Sequence, residues 1–376
     1  MIITEKQHKE APNSIELGSV DKLAVLAIPE LNKRGLKLTT LEGPTLGEII
    51  SSLTIVGSTS VMAKGEIYPK FDSFHSIIYD MQTMYGLDRN QPNAAIQALS
   101  FFANADRKED IALITSGSFF SGDHTVHIGL NSGNKLGNNL RSIAINENDL
   151  IQTGIQESSP SIQKQFIADL ALRLLLDELG IENKNIPFEP RKIEKKLLDK
   201  EKSVLNNLKR LLKNSGYKIA FVESAPGGFL TNRLTDIKGG EGVLHSGKIL
   251  YNSKEKIRAG IPHYSLRKDK LYSKITAFKL AETVFVRRTE NNTFEFDNNV
   301  LTSVIAIGVT GLLDTPDTRE EFKDKKSGGV YYSIIIPGHE PITKKVTLSI
   351  QSRQEMKMDL TLKIFNHLIQ ILEEGE

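Results

Sequence analysis

Cysteine is absent from this chain of 376 residues, and several kinds of site are excluded with it. Without a thiol there can be no disulfide, no thiolate zinc site, no cysteine-ligated iron–sulfur cluster and no cysteine nucleophile. The absence also fits a cytoplasmic protein, which is the location we expect. No apolar run reaches the ~18 residues that a membrane span needs, and the N-terminal residues lack the basic and apolar regions of a signal peptide.

Net charge is nearly absent as well. Lys and Arg number 48 against 46 Asp and Glu, a formal net charge of +2, whereas a general nucleic-acid binder usually shows a stronger basic excess. Two basic clusters, Arg287-Arg288 and residues 192–202, have no interleaved aromatic residues, which favours solvated faces. We therefore expect no nucleic-acid partner. With 39% hydrophobic and 25% charged residues, the composition is typical of a soluble globular protein of two or three domains.

Common phosphate-binding and metal-binding motifs are also missing. Neither GxxxxGK[ST] nor GxGxxG occurs, and there is no His-Glu-x-x-His. His124 and His127 would point to opposite faces of a strand, so a structural or surface role is favoured over a metal site. We expect neither a metal nor a cofactor.

What the chain does contain is an internal repeat. Residues 37–54 align without gaps on residues 218–235, and the apolar run 111–117 resembles 305–311. Two unrelated α/β domains could look alike by chance, but matched residues at fixed spacing favour a duplication. The matched pairs are Gly35 with Gly216, Lys37 with Lys218, Glu42 with Glu223, Gly47 with Gly228, Leu53 with Leu234, Thr54 with Thr235 and, with one residue of slack, Gly65 with Gly247.

The repeat predicts two α/β domains, 1–182 and 203–376, joined by a linker at 183–202 that has two prolines followed by a charged stretch. Each domain is expected to be a mixed β-sheet layered with helices, because strands alternate with helices and a Pro337-Gly338 hairpin adds antiparallel strands. In the second domain the predicted strands are 217–222, 247–251, 303–309, 329–336 and 343–350. The predicted helices there are 203–214, 227–235, one or two within 254–288, and a final helix with Leu362, Phe365, Ile369 and Leu372 on one face; the final helix of the first domain presents Ile167, Leu170, Ala171 and Leu174.

The strongest local signal is the segment Val222-Glu223-Ser224-Ala225-Pro226-Gly227-Gly228. It follows a predicted strand and opens a predicted helix, so its backbone N–H groups suit an anion or an oxyanion. Ser224 could be an exposed nucleophile. Taken alone, the segment is more typical of a helix N-cap at Ser224, with the glycines allowing close packing.

A wider pattern surrounds this segment, and it resembles one protein family. Glu-Ser-x-x-Gly-Gly is followed by Leu-Thr-Asp, then by Gly-x-x-x-Tyr with a lysine five residues after the tyrosine, and later by Val-Thr-Gly after an apolar strand and an arginine before the last helix. The pattern is similar to the CinA C-terminal domain, which also occurs alone as the bacterial nicotinamide mononucleotide deamidase. The resemblance covers residues 203–376 directly and reaches the first half only through the repeat. It implies two tandem CinA C-terminal-like domains.

The resemblance also implies roles for individual residues. Ser224 would be the nucleophile of an amidohydrolase, Lys256 its general base, and Tyr251 part of their hydrogen-bond network. The residues implied on the substrate side are Glu223, Gly227, Gly228, Thr310 and Arg353. Taken singly, each of these residues has an ordinary structural interpretation, such as a solvated helix lysine or a strand-end threonine.

Three departures from the family pattern bear on activity. Ala225-Pro226 stands where the family usually has Cys-Thr, which removes a hydroxyl and an N–H donor. The loop 311–319 replaces a glycine-rich one and adds two carboxylates. Gly239-Gly240-Glu241 replaces Gly-Ser-Ser. A different substrate and a loss of activity both stay open.

The first copy lacks the implied chemistry altogether. Gly43 stands where Ser224 stands, and with Gly65 on Gly247, Pro69 replaces Tyr251 and Phe74 replaces Lys256. We therefore predict a degenerate copy. The resemblance implies a homodimeric family, so the two repeats are expected to pack on each other in a pseudo-twofold manner, helped by net charges of −7 before residue 183 (15 basic, 22 acidic) and +9 from there on (33 basic, 24 acidic). A higher oligomer stays open.

Three functions are consistent with these observations. The first is an amidohydrolase that acts on a small-molecule nucleotide. The second is a catalytically inactive nucleotide-binding or regulatory protein that keeps the pocket. The third is a structural assembly protein whose halves serve only to build a larger particle.

Overall fold

The computed structural model describes residues 14–56, 61–68, 110–117, 125–132, 136, 140–155, 157–267, 271–288, 294–313, 327–349 and 351–374. Within these ranges the first half forms strands β1 (Ile15–Glu16), β2 (Leu38–Glu42), β3 (Met62–Ile67), β4 (Ile111–Gly117), β5 (Val126–Ser132) and β6 (Leu140–Ile145). Its helices are α1 (Ser19–Lys33), α2 (Glu48–Leu53), α3 (Glu147–Gln152) and α4 (Pro160–Glu178), with a 3-10 turn at Thr54–Val56.

The second half begins after a short connecting segment. Its strands are β7 (Lys192–Ile193), β8 (Lys218–Glu223), β9 (Leu244–Leu250), β10 (Val286–Arg288), β11 (Phe294–Phe296), β12 (Val304–Gly311), β13 (Gly329–Ile335) and β14 (Ile342–Thr347). Its helices are α5 (Lys195–Asn214), α6 (Phe229–Leu234), α7 (Ser253–Arg258), α8 (Lys274–Glu282), α9 (Asn298–Ser303) and α10 (Arg353–Glu374), with a 3-10 turn at His263–Leu266.

Ten of the strands in the described ranges form one mixed sheet, which confirms the predicted α/β class with a mixed sheet. The strand order is β14-β13-β12-β8-β9-β3-β2-β4-β5-β6. Within each half three strands are parallel and two outer strands are antiparallel. At the centre, β9 and β3 pair antiparallel and join the two halves.

Each half arranges its strands in the same order. From the outer edge inwards, the first half runs β6-β5-β4-β2-β3 and the second runs β14-β13-β12-β8-β9. The registers also correspond, since Gly65 lies opposite Thr40 and Gly247 lies opposite Phe221, the residue aligned with Thr40. At the central pairing, Glu66 of β3 lies directly opposite Lys248 of β9, the two positions that correspond in the repeat.

Long amphipathic helices cover one face of this sheet. The predicted apolar face of α4 is buried at Ile167, Ala171 and Leu174, with Leu170 packed against the same core. The predicted face of α10 is likewise buried at Leu362, Phe365 and Ile369, with Leu372 at its margin. These helices lie on the side of the sheet where the turns after β2 and β8 begin α2 and α6. None of the helices in the described ranges is both long enough and apolar enough to cross a bilayer.

Helix α5 begins earlier than the sequence predicts. It begins at Lys195 instead of residue 203, so the charged stretch assigned to the linker is mostly helix. One of its charges, Glu201, is buried and accepts a hydrogen bond from Arg233 Nε at 2.6 Å. The charged run therefore combines a solvated face with a buried ion pair, a distinction that composition alone does not make.

Helix α8 packs directly on β12 through a glycine, and this contact gives a first prediction. A Cβ on Gly308 would lie 2.2 Å from the carbonyl oxygen of Ala277 and 2.3 Å from the backbone nitrogen of Ala281. We expect Gly308→Ala to lower the free energy of unfolding by about 1–3 kcal/mol, because the helix must move off the sheet. Urea denaturation measures this. The control Gly242→Ala, whose nearest neighbour would be Gly239 O at 3.4 Å, should change stability by less than about 0.5 kcal/mol; equal stabilities of the two variants would contradict the packing argument.

Candidate active site

The turn between β8 and α6 has a backbone that requires glycine. Gly227 and Gly228 have φ values of 76° and 91°, in the left-handed region. A Cβ on Gly228 would also lie 2.6 Å from Cγ2 of Ile50, a residue of the first half. The paired glycines thus let the chain turn sharply against the other half and begin α6 at Phe229.

Glu223 lies beneath this turn and supports it. Its carboxylate is fully buried and accepts hydrogen bonds from the backbone N–H groups of Gly228 (2.8 Å), Leu230 (3.3 Å) and Thr231 (3.1 Å), and from the Thr231 hydroxyl (2.9 Å). Burial raises the pKa of Glu223, and these hydrogen bonds oppose the rise. These contacts give Glu223 a role in supporting the turn and the start of α6; its assignment to the substrate side stays a prediction.

Ser224 and Lys256 lie within hydrogen-bonding distance of each other. The backbone N–H of Ser224 donates to Val309 O at 2.9 Å, which anchors the turn to β12. Lys256 Nζ donates to Ser224 Oγ at 3.0 Å and to Tyr251 O at 3.1 Å. Lys256 is 2% exposed and Ser224 is 9% exposed. Both residues are therefore largely shielded from water, and the serine is the more accessible of the two.

Helix α7 places the lysine at this position. The side chain of Asn252 caps the helix by accepting from Glu255 N at 2.9 Å. One turn later, Glu255 and Lys256 face inwards, whereas Lys254 and Ile257 are exposed. The solvated-lysine interpretation therefore fits Lys254 and does not fit Lys256.

Tyr251 and Arg353 form the next contact outwards. Both side chains are half-buried, and Arg353 Nη2 donates to the Tyr251 hydroxyl at 3.2 Å. Arg353 Nε donates to the backbone oxygen of Thr54 at 2.6 Å. Arg353 begins α10, so the last helix of the chain and a turn of the first half meet beside the Ser224 pair.

Thr310 lies next to the strand residue that anchors the nucleophile turn. It follows Val309 on β12, is fully buried, and donates from its hydroxyl to Leu271 O at 3.2 Å. This bond connects Thr310 to the segment before α8, and its assignment to the ligand stays a prediction.

The corresponding turn of the first half keeps the geometry without the nucleophile. Gly43 N donates to Thr115 O at 3.0 Å, as Ser224 N does to Val309 O. Glu42 accepts from the N–H groups of Gly47, Ile49 and Ile50, as Glu223 does from their counterparts. Leu46 has a positive φ of 47° where Gly227 stands. Pro69 and Phe74 lie outside the described residues.

Sequence reasoning missed two residues of this region, Thr54 and Lys357. Lys357 is fully buried and donates from Nζ to Thr54 Oγ1 at 3.0 Å and to Ser51 O at 2.8 Å. Burial, aided by the nearby charge of Arg353, lowers the pKa of Lys357 well below its ordinary value. The available signal was the Leu-Thr pair that recurs in both halves, which by itself indicates duplication and not a contact with the site.

Metal ligands are not grouped in the described ranges. No cluster of three or more His, Asp or Glu side chains with metal-binding geometry occurs there. His127 lies on β5, and burial lowers its pKa; His124 lies outside the described residues.

Comparisons with known proteins bear on the second half. Residues 201–372 match the family model described as CinA C-terminal domain. A "putative competence-damage inducible protein" of Bacillus mycoides (strain KBAB4) is 32% identical over 166 residues, which are 44% of this chain and 36% of that protein. The protein of that name from Streptococcus equi subsp. zooepidemicus (strain H70) is 29% identical over 167 residues, 44% of this chain and 35% of that protein. The chain thus spans about a third of the length of these curated relatives.

Solved structures of competence-damage-inducible proteins are also similar to part of the chain. A competence or damage-inducible protein from Enterobacter asburiae covers 46% of this chain and 98% of its own, at 18% identity and a TM-score of 0.39. The competence damage-inducible protein A of Klebsiella pneumoniae covers 47% of this chain and 99% of its own, at 15% identity and a TM-score of 0.39. The match to the CinA C-terminal domain model thus covers residues 201–372, the part of the chain that contains Ser224 and Lys256.

Proposed function

We propose that this chain is a serine amidohydrolase of the nicotinamide-nucleotide deamidase type, with Ser224 as nucleophile and Lys256 as general base. One observation carries the proposal: the buried Nζ of Lys256 lies 3.0 Å from Oγ of Ser224. A nucleophile within hydrogen-bonding distance of a base is the arrangement that covalent catalysis requires.

The proposed reaction has two stages. The neutral amine of Lys256 takes the hydroxyl proton while Ser224 Oγ attacks the carboxamide carbon of the substrate. The carbon–nitrogen bond then breaks, the ammonium of Lys256 returns its proton to the leaving nitrogen, and ammonia departs from a serine ester. A water molecule, deprotonated by the same amine, attacks this ester, which releases the carboxylate product and restores the serine hydroxyl.

Burial supports the role of a base. A lysine accepts a proton only as the uncharged amine, and removal from water disfavours the ammonium form. Lys256 is 2% exposed, and its Nζ donates to Ser224 Oγ and to Tyr251 O.

The turn also offers donors to a developing oxyanion. In the described part of the chain, the N–H groups of Ser224 and Gly228 are used by Val309 and Glu223, whereas those of Ala225 and Gly227 have no described acceptor. Hydrogen bonds from such preorganised groups stabilise the tetrahedral intermediate. Pro226 contributes none, because it lacks an N–H.

Arg353 supports a nucleotide as the substrate. Its guanidinium lies beside Tyr251, one contact away from the serine–lysine pair. A guanidinium in this place can pair with a phosphate of the substrate while the carboxamide reaches Ser224. The loop 314–319, where the family pattern is lost, lies outside the described residues.

We further propose that the two halves are tandem copies and that the first copy is degenerate. The shared strand order, the matching registers and the paired hydrogen bonds of the two turns support a common origin. Gly43 in the serine position supports the loss of chemistry. The central β3–β9 pairing and the packing of each half's last helix beside the other half support a pseudo-twofold arrangement, with the first half serving as a built-in partner.

One observation favours a second candidate, a nucleotide-binding or regulatory protein without turnover. Ala225-Pro226 removes one hydroxyl and one N–H donor from the nucleophile turn relative to the family pattern. A weaker oxyanion site lowers the rate while leaving the pocket able to bind.

Ammonia release from nicotinamide mononucleotide by the purified full chain distinguishes the two candidates. We expect stoichiometric ammonia and nicotinate mononucleotide from the native chain and none from Ser224→Ala. Thermal stabilisation by the mononucleotide without ammonia would instead support the binding protein. Ammonia release that survives in Ser224→Ala would contradict the proposed nucleophile.

A further inference from the structure

Thr54 of the first half contacts both the nucleophile turn and Arg353. Its backbone oxygen accepts from Arg353 Nε at 2.6 Å. Its hydroxyl has two acceptors within reach, Ser51 O at 2.9 Å and Gly227 O of the nucleophile turn at 3.2 Å. A single residue of the half without a nucleophile therefore contacts both the turn and the arginine of the other half.

The side chain of Thr54 also packs closely against Gly227. A Cβ placed on Gly227 would lie 2.8 Å from Thr54 Oγ1 and 3.0 Å from its Cγ2. The threonine side chain therefore fills the space left by the glycine, and the turn cannot shift towards the first half. Thr54 is itself fully buried, so its position is determined by packing on every side.

Lys357 donates a hydrogen bond to Thr54. Its Nζ lies 3.0 Å from Thr54 Oγ1 and 2.8 Å from Ser51 O, and it also lies over the ring of Phe229 at 5.7 Å from the centroid. Phe229 is the first residue of α6. Lys357 thus connects the last helix of the chain, the Thr54 turn and the start of α6.

The mirrored contact exists in the other direction, but it lacks the arginine. Lys164 of α4 donates to Thr235 Oγ1 at 3.0 Å and to Asn232 O at 2.7 Å, the counterparts of Thr54 and Ser51. Four residues before Lys164 stands Pro160, whereas four residues before Lys357 stands Arg353. In both contacts a lysine of one half donates to a threonine hydroxyl and a backbone oxygen of the other half. At Thr54 an arginine, Arg353, is bound as well, and it lies beside the Ser224 site.

We propose that Thr54 is a positioning residue for the Ser224 site, supplied by the half that has lost its own nucleophile. Its carbonyl orients Arg353 and, through it, the Tyr251 hydroxyl; its hydroxyl and methyl group fix the turn at Gly227. The inference rests on the proposed function. It means that the CinA C-terminal domain of this chain has a complete site only while the first half is attached.

The test compares three variants of the full chain. Thr54→Val keeps the shape and removes the hydroxyl, Thr54→Ser keeps the hydroxyl, and Thr235→Val is the matched control at the mirrored crossing. We expect Thr54→Val to lower kcat/KM for nicotinamide mononucleotide, and the rate at which a fluorophosphonate probe labels Ser224, by about tenfold to a hundredfold, because small displacements of reacting groups are costly. Thr54→Ser should recover both rates to within about threefold, and Thr235→Val should stay within about twofold of the native chain at a similar loss of thermal stability.

Equal rates in Thr54→Val and Thr235→Val would overturn the inference and leave the proposed function intact. If the native chain neither hydrolyses the mononucleotide nor reacts with the probe, the proposed function fails, and a crystal structure of Thr54→Val decides the inference separately. A displaced turn at residues 224–228 and a displaced Arg353 guanidinium would support it. An unmoved turn and guanidinium would overturn it.

Discussion

Replacing Ser224 with alanine is expected to lower turnover by about three orders of magnitude or more, since the covalent route has no other nucleophile in the turn. The fold should tolerate the change, because the backbone N–H of Ser224, and not its hydroxyl, anchors the turn to Val309. Ser215→Ala, an exposed serine at the end of α5, is the matched control and should keep native kinetics. Steady-state ammonia release measures both.

Lys256 is expected to act with Ser224 as one unit. Lys256→Met preserves most of the buried volume and should lower turnover nearly as far as Ser224→Ala. The double variant should then be little worse than either single variant, because each change already disables the same step. Lys254→Met, on the exposed face of the same helix, is the control. Multiplying losses in the double variant would show that the two residues act independently.

The largest expected effect on stability comes from Arg191, a residue of the segment between the halves. Its guanidinium is buried and donates to Asp21 Oδ1 at 2.6 Å, to Asp21 Oδ2 at 2.8 Å and to Glu48 Oε1 at 2.9 Å. Arg191→Met would leave two carboxylates buried without their cation. We expect the free energy of unfolding to fall by about 3–5 kcal/mol, as for other buried ion pairs that lose one partner.

The neighbouring ion pair supplies the control. Lys192 and Glu16 pair at 3.5 Å with side chains that are 77% and 67% exposed, so Lys192→Met should change stability by less than about 1 kcal/mol. Chemical denaturation of the three chains measures the difference. A small effect at Arg191 would mean that Asp21 and Glu48 find other partners or water when the arginine is removed.

This buried network also explains why the halves are expected to be inseparable. Glu48 Oε2 accepts from Asn232 Nδ2 at 2.7 Å, across the boundary between them. Lys164 of the first half is paired with Asp236 of the second at 2.6 Å. Burial lowers the pKa of Lys164, and the charge of Asp236 opposes that effect. If the halves were separated, Glu48, Lys164 and Asp236 would lose partners in the other half or become exposed to water.

Much of the fold follows from local sequence patterns. The apolar run of β12 and the Pro337-Gly338 hairpin predicted strands that the structure places within a few residues. The central β3–β9 pairing was beyond such reasoning, since it joins residues about 180 positions apart and neither strand is distinctive. The start of α5 was also missed, because Glu201 reads as solvated until its partner Arg233 is known.

Site residues within one half could be predicted from the sequence, whereas contacts between the halves could not. The resemblance to a family pattern within one half indicated Ser224 and Lys256, which the structure places 3.0 Å apart. The contacts of Glu223 with the start of α6 could not be predicted, because sequence does not tell a carboxylate that faces a pocket from one that caps its own helix. Thr54 lies 170 residues before Ser224, and its contribution depends on how the halves pack.

The proposal that Ser224 is the nucleophile is tested most directly by the mass of the peptide that contains this residue, measured during turnover. Nicotinamide mononucleotide is mixed with the full chain, the reaction is stopped in acid, and the peptide that contains Ser224 is analysed by mass spectrometry. The account predicts a nicotinate mononucleotide ester on Ser224 that is absent from Ser224→Ala and accumulates when deacylation is slowed. Turnover without any adduct, or an adduct on a different residue, would contradict it.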